Sequence, residues 1–196
     1  MAAMRVLVVD ESAKRAEVLR AALLLAGYEV TASLTSAVTL LKTIERLEPE
    51  VIVIDTDSPS RDVLEHLVMI SRHTPRPVVM FASDGTPETI RAATRAGVSA
   101  YVVDGLDEKR IRAIVDVAVA RFDELQDLRG QLAQANSKLA ERKLIERAKG
   151  LLQNPQSRIS EIAYQVGFQS LTHFNRVFKK TVGEAPTEYR TKLQVC

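Results

Sequence analysis

Residues 5–27, RVLVVDESAKRAEVLRAALLLAG, decide how the first half of the chain folds. RVLVV (5–9) is a continuous apolar run, the pattern of a strand buried on both faces. The acids Asp10 and Glu11 end it. AKRAEVLRAALLLAG (13–27) then places apolar residues at helical spacing and closes on Gly27, a C-cap signal. The alternation continues to residue 103. YEVTAS (28–33), VIVID (51–55), PVVMF (77–81) and SAYVV (99–103) read as strands. SAVTLLKTIERL (36–47), RDVLEHLVMISRH (61–73) and TPETIRAATRAG (86–97) read as helices. Short apolar strands joined by helices predict an α/β fold, a five-stranded parallel doubly wound sheet in the order 2-1-3-4-5.

The fifth helix does not stop. From about Asp107 to Leu152 there is no proline, and the glycines are Gly130 and Gly150. Leu125, Leu132 and Leu139 are seven residues apart. Placing them at d puts Ala118 at d as well, and Phe122, Arg129 and Asn136 at a. This predicts a short, imperfect coiled coil and a homodimer, with Phe122, Leu125, Leu132, Asn136 and Leu139 in the seam. NPQS (154–157) breaks the helix, and three short helical segments follow: ISEIAYQVGF, SLTHFNRVFKKTVG and PTEYRTKL. The domain boundaries expected are 1–120, 121–141 for the coiled coil, and 142–196 for a small all-α domain.

Composition narrows the function classes. The chain has 196 residues, 46% hydrophobic and 27% charged, and fits one ordinary domain plus a smaller one. No apolar run approaches the roughly 18 residues that span a bilayer, and MAAMRVLVVDES reads as a first strand, so no membrane partner and no signal peptide are expected. Cys196 is the one cysteine. With no internal disulfide possible, the expected compartment is the reducing cytoplasm. His66, His73 and His173 are scattered, without metal-ligand spacing. The net charge of +2 hides an asymmetry: up to Glu141 there are 17 Lys/Arg against 21 Asp/Glu, and from Arg142 on 10 against 4. A basic tail places an anionic partner there.

Strand ends carry the other signal. Asp10 and Glu11 follow the first strand and Asp55 ends the third, and these strands are neighbours in a 2-1-3-4-5 sheet. The three acids are therefore expected to converge on an acidic pocket fit for Mg²⁺, with one of them a phosphoryl acceptor. VLVVDES, VIVIDTDSP and AGVSAYVV resemble the flavodoxin-like receiver domain of bacterial two-component response regulators, over about residues 4–120. The resemblance implies Asp55 as the phospho-acceptor, with Asp10, Glu11 and Asp55 as metal ligands and Asp57 giving a backbone carbonyl. It also implies a histidine kinase or sensor protein as partner. Two positions depart from it. Ala82 stands where the family has Thr or Ser, and Asp104 where it has Lys, so both usual readouts of a phosphoryl group are missing.

DTDSPSRDVLEHL, RPVVMF, AGVSAYVVDGL, VAVARFDEL and LAERKLIERAKGLL are similar to the AmiR/NasT group of antiterminators. That likeness implies a sensor-controlled receiver, a coiled-coil dimer and an RNA-binding ANTAR domain. After Leu152 the pattern changes. ISEIAYQVGF, HFNRVFKK and PTEYR resemble the second helix-turn-helix of AraC-type transcription regulators.

The tail residues read the same way unaided. Ser160 is expected to cap the helix that follows it, Gly167 to allow a tight turn, and Phe168 to plug the core. Leu171, Phe174, Val177 and Phe178 form a buried stripe. Thr172, His173, Asn175, Arg176, Lys179 and Lys180 form the opposite face, with Ser170 as a cap. Such a helix fits a major groove. Thr172, His173, Asn175 and Arg176 are then the candidates for base edges, and Lys179 and Lys180 for phosphates. With no nucleophile–base pair beyond Asp55 and no phosphate loop, an enzyme is not expected. The reading is a dimeric transcription regulator that binds duplex DNA. The alternatives are an RNA-binding antiterminator or a protein-interaction module.

Overall fold

The computed structural model describes residues 3–103 and 109–195. Asp104, the helix start near Asp107 and Cys196 lie outside the described residues. The chain divides into two compact units, residues 1–126 and 127–196.

The first unit carries five parallel strands: β1 Arg5–Asp10, β2 Glu29–Leu34, β3 Val51–Thr56, β4 Val78–Ala82 and β5 Ala100–Val103. They lie in the order β2-β1-β3-β4-β5. Period-two alternation sorts their side chains onto two faces. Leu7, Val9, Ile52, Ile54, Val78 and Met80 share one core with α2 (Leu40–Leu47), α3 (Arg61–His73) and α4 (Pro87–Ala96). Val6, Val8, Val51, Val53, Val79 and Phe81 share the other with α1 (Ala13–Leu25) and the start of α5 (Ile111–Leu151). The central strands are therefore apolar at nearly every position, because both faces are covered.

Local signals set the helix limits. Ser12 caps α1, Ser60 caps α3 and Thr86 caps α4, each side-chain oxygen accepting a backbone N–H of the first turn. The segment 36–47 is not one helix. A 3-10 turn at Ala37–Thr39, capped by Ser36, precedes α2. The end of α2 is held at Glu48, whose φ of 44° is left-handed. Arg5 donates to its carbonyl at 2.6 Å and to that of Leu47 at 3.2 Å, so the β1 side chain fastens this turn.

The helix α5 runs unbroken for 41 residues. Its Ile111, Val115 and Ala118 are buried in the first unit. Ala118 therefore belongs to that core and not to a coiled-coil seam.

In the second unit, Ile145 and Ala148 of α5, with Leu152 in the turn just after it, pack with α6 (Ile159–Val166), α7 (Leu171–Val182) and α8 (Pro186–Val195). An aromatic ladder runs through this core. Phe168–Phe174, Phe174–Phe178 and Phe178–Tyr189 have ring centroids 5.3, 5.6 and 5.6 Å apart. Ser160 does not cap α6. It lies inside the helix, and the first turn is closed by Glu161, which accepts the Arg158 N–H at 3.1 Å. Gly167 has a φ of 115° and Ser170 caps α7 by accepting the His173 N–H.

Gly97, the left-handed cap of α4 at φ 103°, would place a Cβ 2.7 Å from the Ser71 Cβ. Gly97→Ala is expected to destabilise the chain by more than about 1 kcal/mol, read as a lower urea midpoint with an unchanged slope.

An arginine-bridged acid pair and an exposed helix face as candidate functional sites

The β1–β3 register sets Asp10 directly opposite Asp55 at the carboxyl edge of the sheet. The Asp10 side chain is fully buried. Its Oδ1 accepts the Ser12 N–H at 2.8 Å and the Arg15 Nε and Nη2 at 3.4 Å each. Its Oδ2 is buried with no hydrogen-bond partner. Arg15, half-exposed on the first turn of α1, also donates from Nη1 to Asp57 Oδ1 at 2.6 Å. The Asp57 hydrogen bond, followed by the Asp10 charge and working against burial, holds the Arg15 guanidinium above its ordinary pKa. Burial raises the Asp55 carboxyl, the Asp10 charge raises it further, and Arg15 only partly offsets this.

The predicted pocket residues are thus brought together in part. Asp10 and Asp55 face each other, and Asp57 joins Asp10 through Arg15. Glu11 is exposed, and among the described residues no three acids, histidines or cysteines form a group able to hold a metal ion. The Asp57 carbonyl, a metal ligand by family resemblance, already accepts the N–H groups of Ser83 (3.1 Å) and Asp84 (2.9 Å). A carbonyl has two lone pairs, and both are used. As arranged, these residues do not fit Mg²⁺.

Sequence reading missed Arg15. The signal was present: a buried acid pair whose usual lysine is replaced needs a cation from elsewhere, and a long side chain one turn into α1 reaches back to Asp10.

It also missed Asp84. Its carboxylate accepts Ser58 Oγ, Thr89 Oγ1 and the Thr86 N–H at 2.9 Å each, and its carbonyl accepts the Tyr101 hydroxyl at 2.6 Å. One residue therefore links the loop after β3, the cap of α4 and strand β5. Ala82, where the family carries a hydroxyl, is buried beside Thr56.

In the second unit, α7 buries Phe174, Val177 and Phe178, while Thr172, Asn175, Arg176, Lys179 and Lys180 are exposed. His173 is engaged differently. Its Nε2 lies 3.3 Å from Glu141 Oε1 of α5, and its ring stands edge-on to Phe168 at 5.5 Å. Ser170 is exposed and serves as the cap.

Along α5, Leu125, Leu128, Leu132 and Leu139 are all about half-exposed or more. Phe122 is half-buried in a concavity of the first unit with Met4, Pro49 and Pro77. Among the described residues no helix is long and apolar enough to cross a membrane.

Parallel strands ending in paired acids, joined in one chain to a helix-turn-helix, define a signal-receiving DNA-binding class. The chain belongs to the response regulator receiver domain family, whose profile matches residues 6–116. A helix-turn-helix domain profile, of the AraC type, matches residues 127–192. Together these are regulatory domains of the kind that make up a transcription regulator.

Transcriptional regulatory protein PdtaR of Mycobacterium tuberculosis is 28% identical over 162 residues, 83% of this chain and 78% of that one. A protein-glutamate methylesterase/protein-glutamine glutaminase of Xanthomonas oryzae pv. oryzae is 37% identical over 98 residues, 48% of this chain and 27% of that one. Solved structures that share the receiver fold include the following two. The CheY-like receiver domain protein of Methanospirillum hungatei has a TM-score of 0.55 at 19% identity, over 63% of this chain and 98% of that one. The chemotaxis response regulator CheY4 of Vibrio cholerae has a TM-score of 0.53 at 19% identity, over 60% of this chain and 99% of that one.

The bond to the Thr86 N–H, followed by those to Ser58, Thr86 and Thr89 hydroxyls, lowers the Asp84 carboxyl to about 2. A depressed acid stabilises the fold above its unfolded pKa, about 3.9, and that contribution is lost as pH falls towards about 2. Asp84→Asn is therefore expected to flatten the acid limb of a stability–pH curve between those values. Asp55→Asn removes a charge that burial and Asp10 disfavour, and should raise Tm at neutral pH.

Proposed function

We propose that the chain is a dimeric transcription regulator that binds duplex DNA sequence-specifically through α7. Its receiver unit takes its input from a sensor protein or histidine kinase. The observation that carries this reading is the α7 surface. Exposed Thr172, Asn175, Arg176, Lys179 and Lys180 stand on a helix whose other side is locked into an aromatic core. A rigid helix that presents amide, hydroxyl and guanidinium groups flanked by lysines suits a major groove. Thr172, Asn175 and Arg176 read base edges, and Lys179 and Lys180 meet phosphates. His173 takes its place at the rim through Glu141, and Ser170 fixes the start of the helix. Reading DNA places the protein in the cytoplasm.

One helix-turn-helix makes few base contacts, so selectivity comes from two copies on two half-sites. The exposed leucines of α5 support a second copy as their partner. Leu128 is as exposed as its neighbours Leu125 and Leu132, and it falls outside a seam with Leu125 at d. A frame with Leu125, Leu132 and Leu139 at a, and Leu128 and Ala135 at d, gathers the whole apolar stripe. Phe122, Arg129 and Asn136 then leave the seam. In a parallel pair Glu124 faces the partner's Arg129, and Lys138 faces the partner's Lys143. The first contact is attractive and the second repulsive, so the helices hold together at the start of the stripe and part towards its end. Leu139 and Ala135 also line a groove of about 840 Å³ with Val177 of α7.

Asp55 is the proposed phospho-acceptor. Asp10 and Asp55, which face each other across β1 and β3, are the carboxylates that would hold Mg²⁺ were Arg15 displaced. When bound, the ion would supply charge neutralisation for phosphoryl transfer. In the arrangement present, Arg15 supplies that neutralisation to Asp10 and Asp57.

The test is selection from mixed random pools of duplex DNA and structured RNA at near-physiological salt. Two duplex half-sites are expected. Recovery of RNA hairpins would overturn the reading in favour of the antiterminator side of the sequence. On the selected duplex, Arg176→Ala should cost about 1–3 kcal/mol and relax one base position, while Lys179→Ala should weaken all sequences alike and reduce the salt slope by about one. Leu128→Asp should convert the sedimenting species from dimer to monomer.

A further inference from the structure

We propose that Arg15 is the built-in cation of the receiver's acid pair and that it excludes divalent ions from it. The inference concerns the first unit alone and stands whether or not α7 reads DNA.

Four observations carry it. Arg15 lies on the solvent side of Asp10, 38% exposed over a carboxylate that is 0% exposed. It is tied at both ends, to Asp10 through Nε and Nη2 and to Asp57 through Nη1. Asp10 Oδ2 is closed to solvent and accepts no hydrogen bond. The Asp57 carbonyl is spent on Ser83 and Asp84.

A buried carboxylate with one orphaned oxygen is costly unless a charge sits on it, and the guanidinium is that charge. A divalent ion approaching the pair meets a closed Oδ2 and a fixed positive group. To bind, it has to displace both arms of Arg15. Once the arginine is gone, the Asp10 and Asp55 carboxylates with retained waters make an ordinary Mg²⁺ or Mn²⁺ site, since such ions take one or two carboxylates and keep several waters. Arg15 therefore does permanently what a receiver's bound metal does on demand, and the acid end of this unit stays neutralised without an ion.

Mn²⁺ is the probe, followed by the loss of its free electron paramagnetic resonance signal on titration into the full chain. The unaltered protein is expected to leave the signal as in buffer through the millimolar range. Arg15→Ala should bind one ion with affinity raised by at least about tenfold, the effect of removing a unit charge at contact distance. Adding Asp10→Asn to it should abolish that binding, and Lys14→Ala, an exposed neighbour, should behave as the unaltered chain. Should Arg15→Ala fail to fold, Asp57→Asn, which frees the outer arm, takes its place with the same expectation of a gain. Tight binding by the unaltered chain overturns the proposal. So does the absence of any gain in the folded variant.

Discussion

The pairing of β1 with β3 is the constraint on which the first unit depends. Both strands are apolar on both faces, so each is fixed between two helical layers, and a slip of one residue would exchange the two cores. That register brings Asp10 opposite Asp55. Two carboxylates forced together at a buried edge repel, and the fold answers with Arg15 from the helix that follows β1. The bond from Arg15 to Asp57 then ties the loop after β3 to α1. Asp84 ties the same loop to β5 and α4. The carboxyl edge of the sheet is in this chain braced from both sides.

The second unit rests on a different device. Four aromatic rings, from Phe168 to Tyr189, run through its core, each in contact with the next. They fix α6, α7 and α8 against the end of α5. The polar face of α7 is thereby held still, and under the proposed function a helix that is already ordered spends little entropy on binding DNA. Glu141 adds a fixed partner for His173, so one edge of that face is set by α5 and not by α7 alone.

Much of this was legible in the residues. Unbroken apolar strands between helices implied the parallel sheet, its order and the meeting of the first and third strand ends. Phe174, Val177 and Phe178 at helical spacing implied the buried side of α7, and with it the exposed one. What escaped was of two kinds. Side-chain reach from one element to another leaves no periodic trace, so Arg15 to Asp57, Asp84 to Tyr101 and Glu141 to His173 had to be seen in space. Local choices between near-equal options were also hidden. Glu161, and not Ser160, closes the start of α6, and a 3-10 turn opens the segment before α2. Leu128, about as exposed as Leu125 and Leu132, does not fall on the seven-residue spacing of Leu125, Leu132 and Leu139. Ala118 and Phe122, which continue the heptad on paper, are drawn into the first unit by the sheet and by Met4, Pro49 and Pro77.

In the proposed function, two chains act together on one duplex. It is tested most directly by the stoichiometry of the full chain on a duplex with two half-sites, measured by sedimentation velocity as their spacing is varied. Two chains per duplex, with affinity falling sharply when one half-site is turned to the far side of the helix, is the result the account predicts. One chain per duplex, with an affinity indifferent to the second half-site, would contradict it.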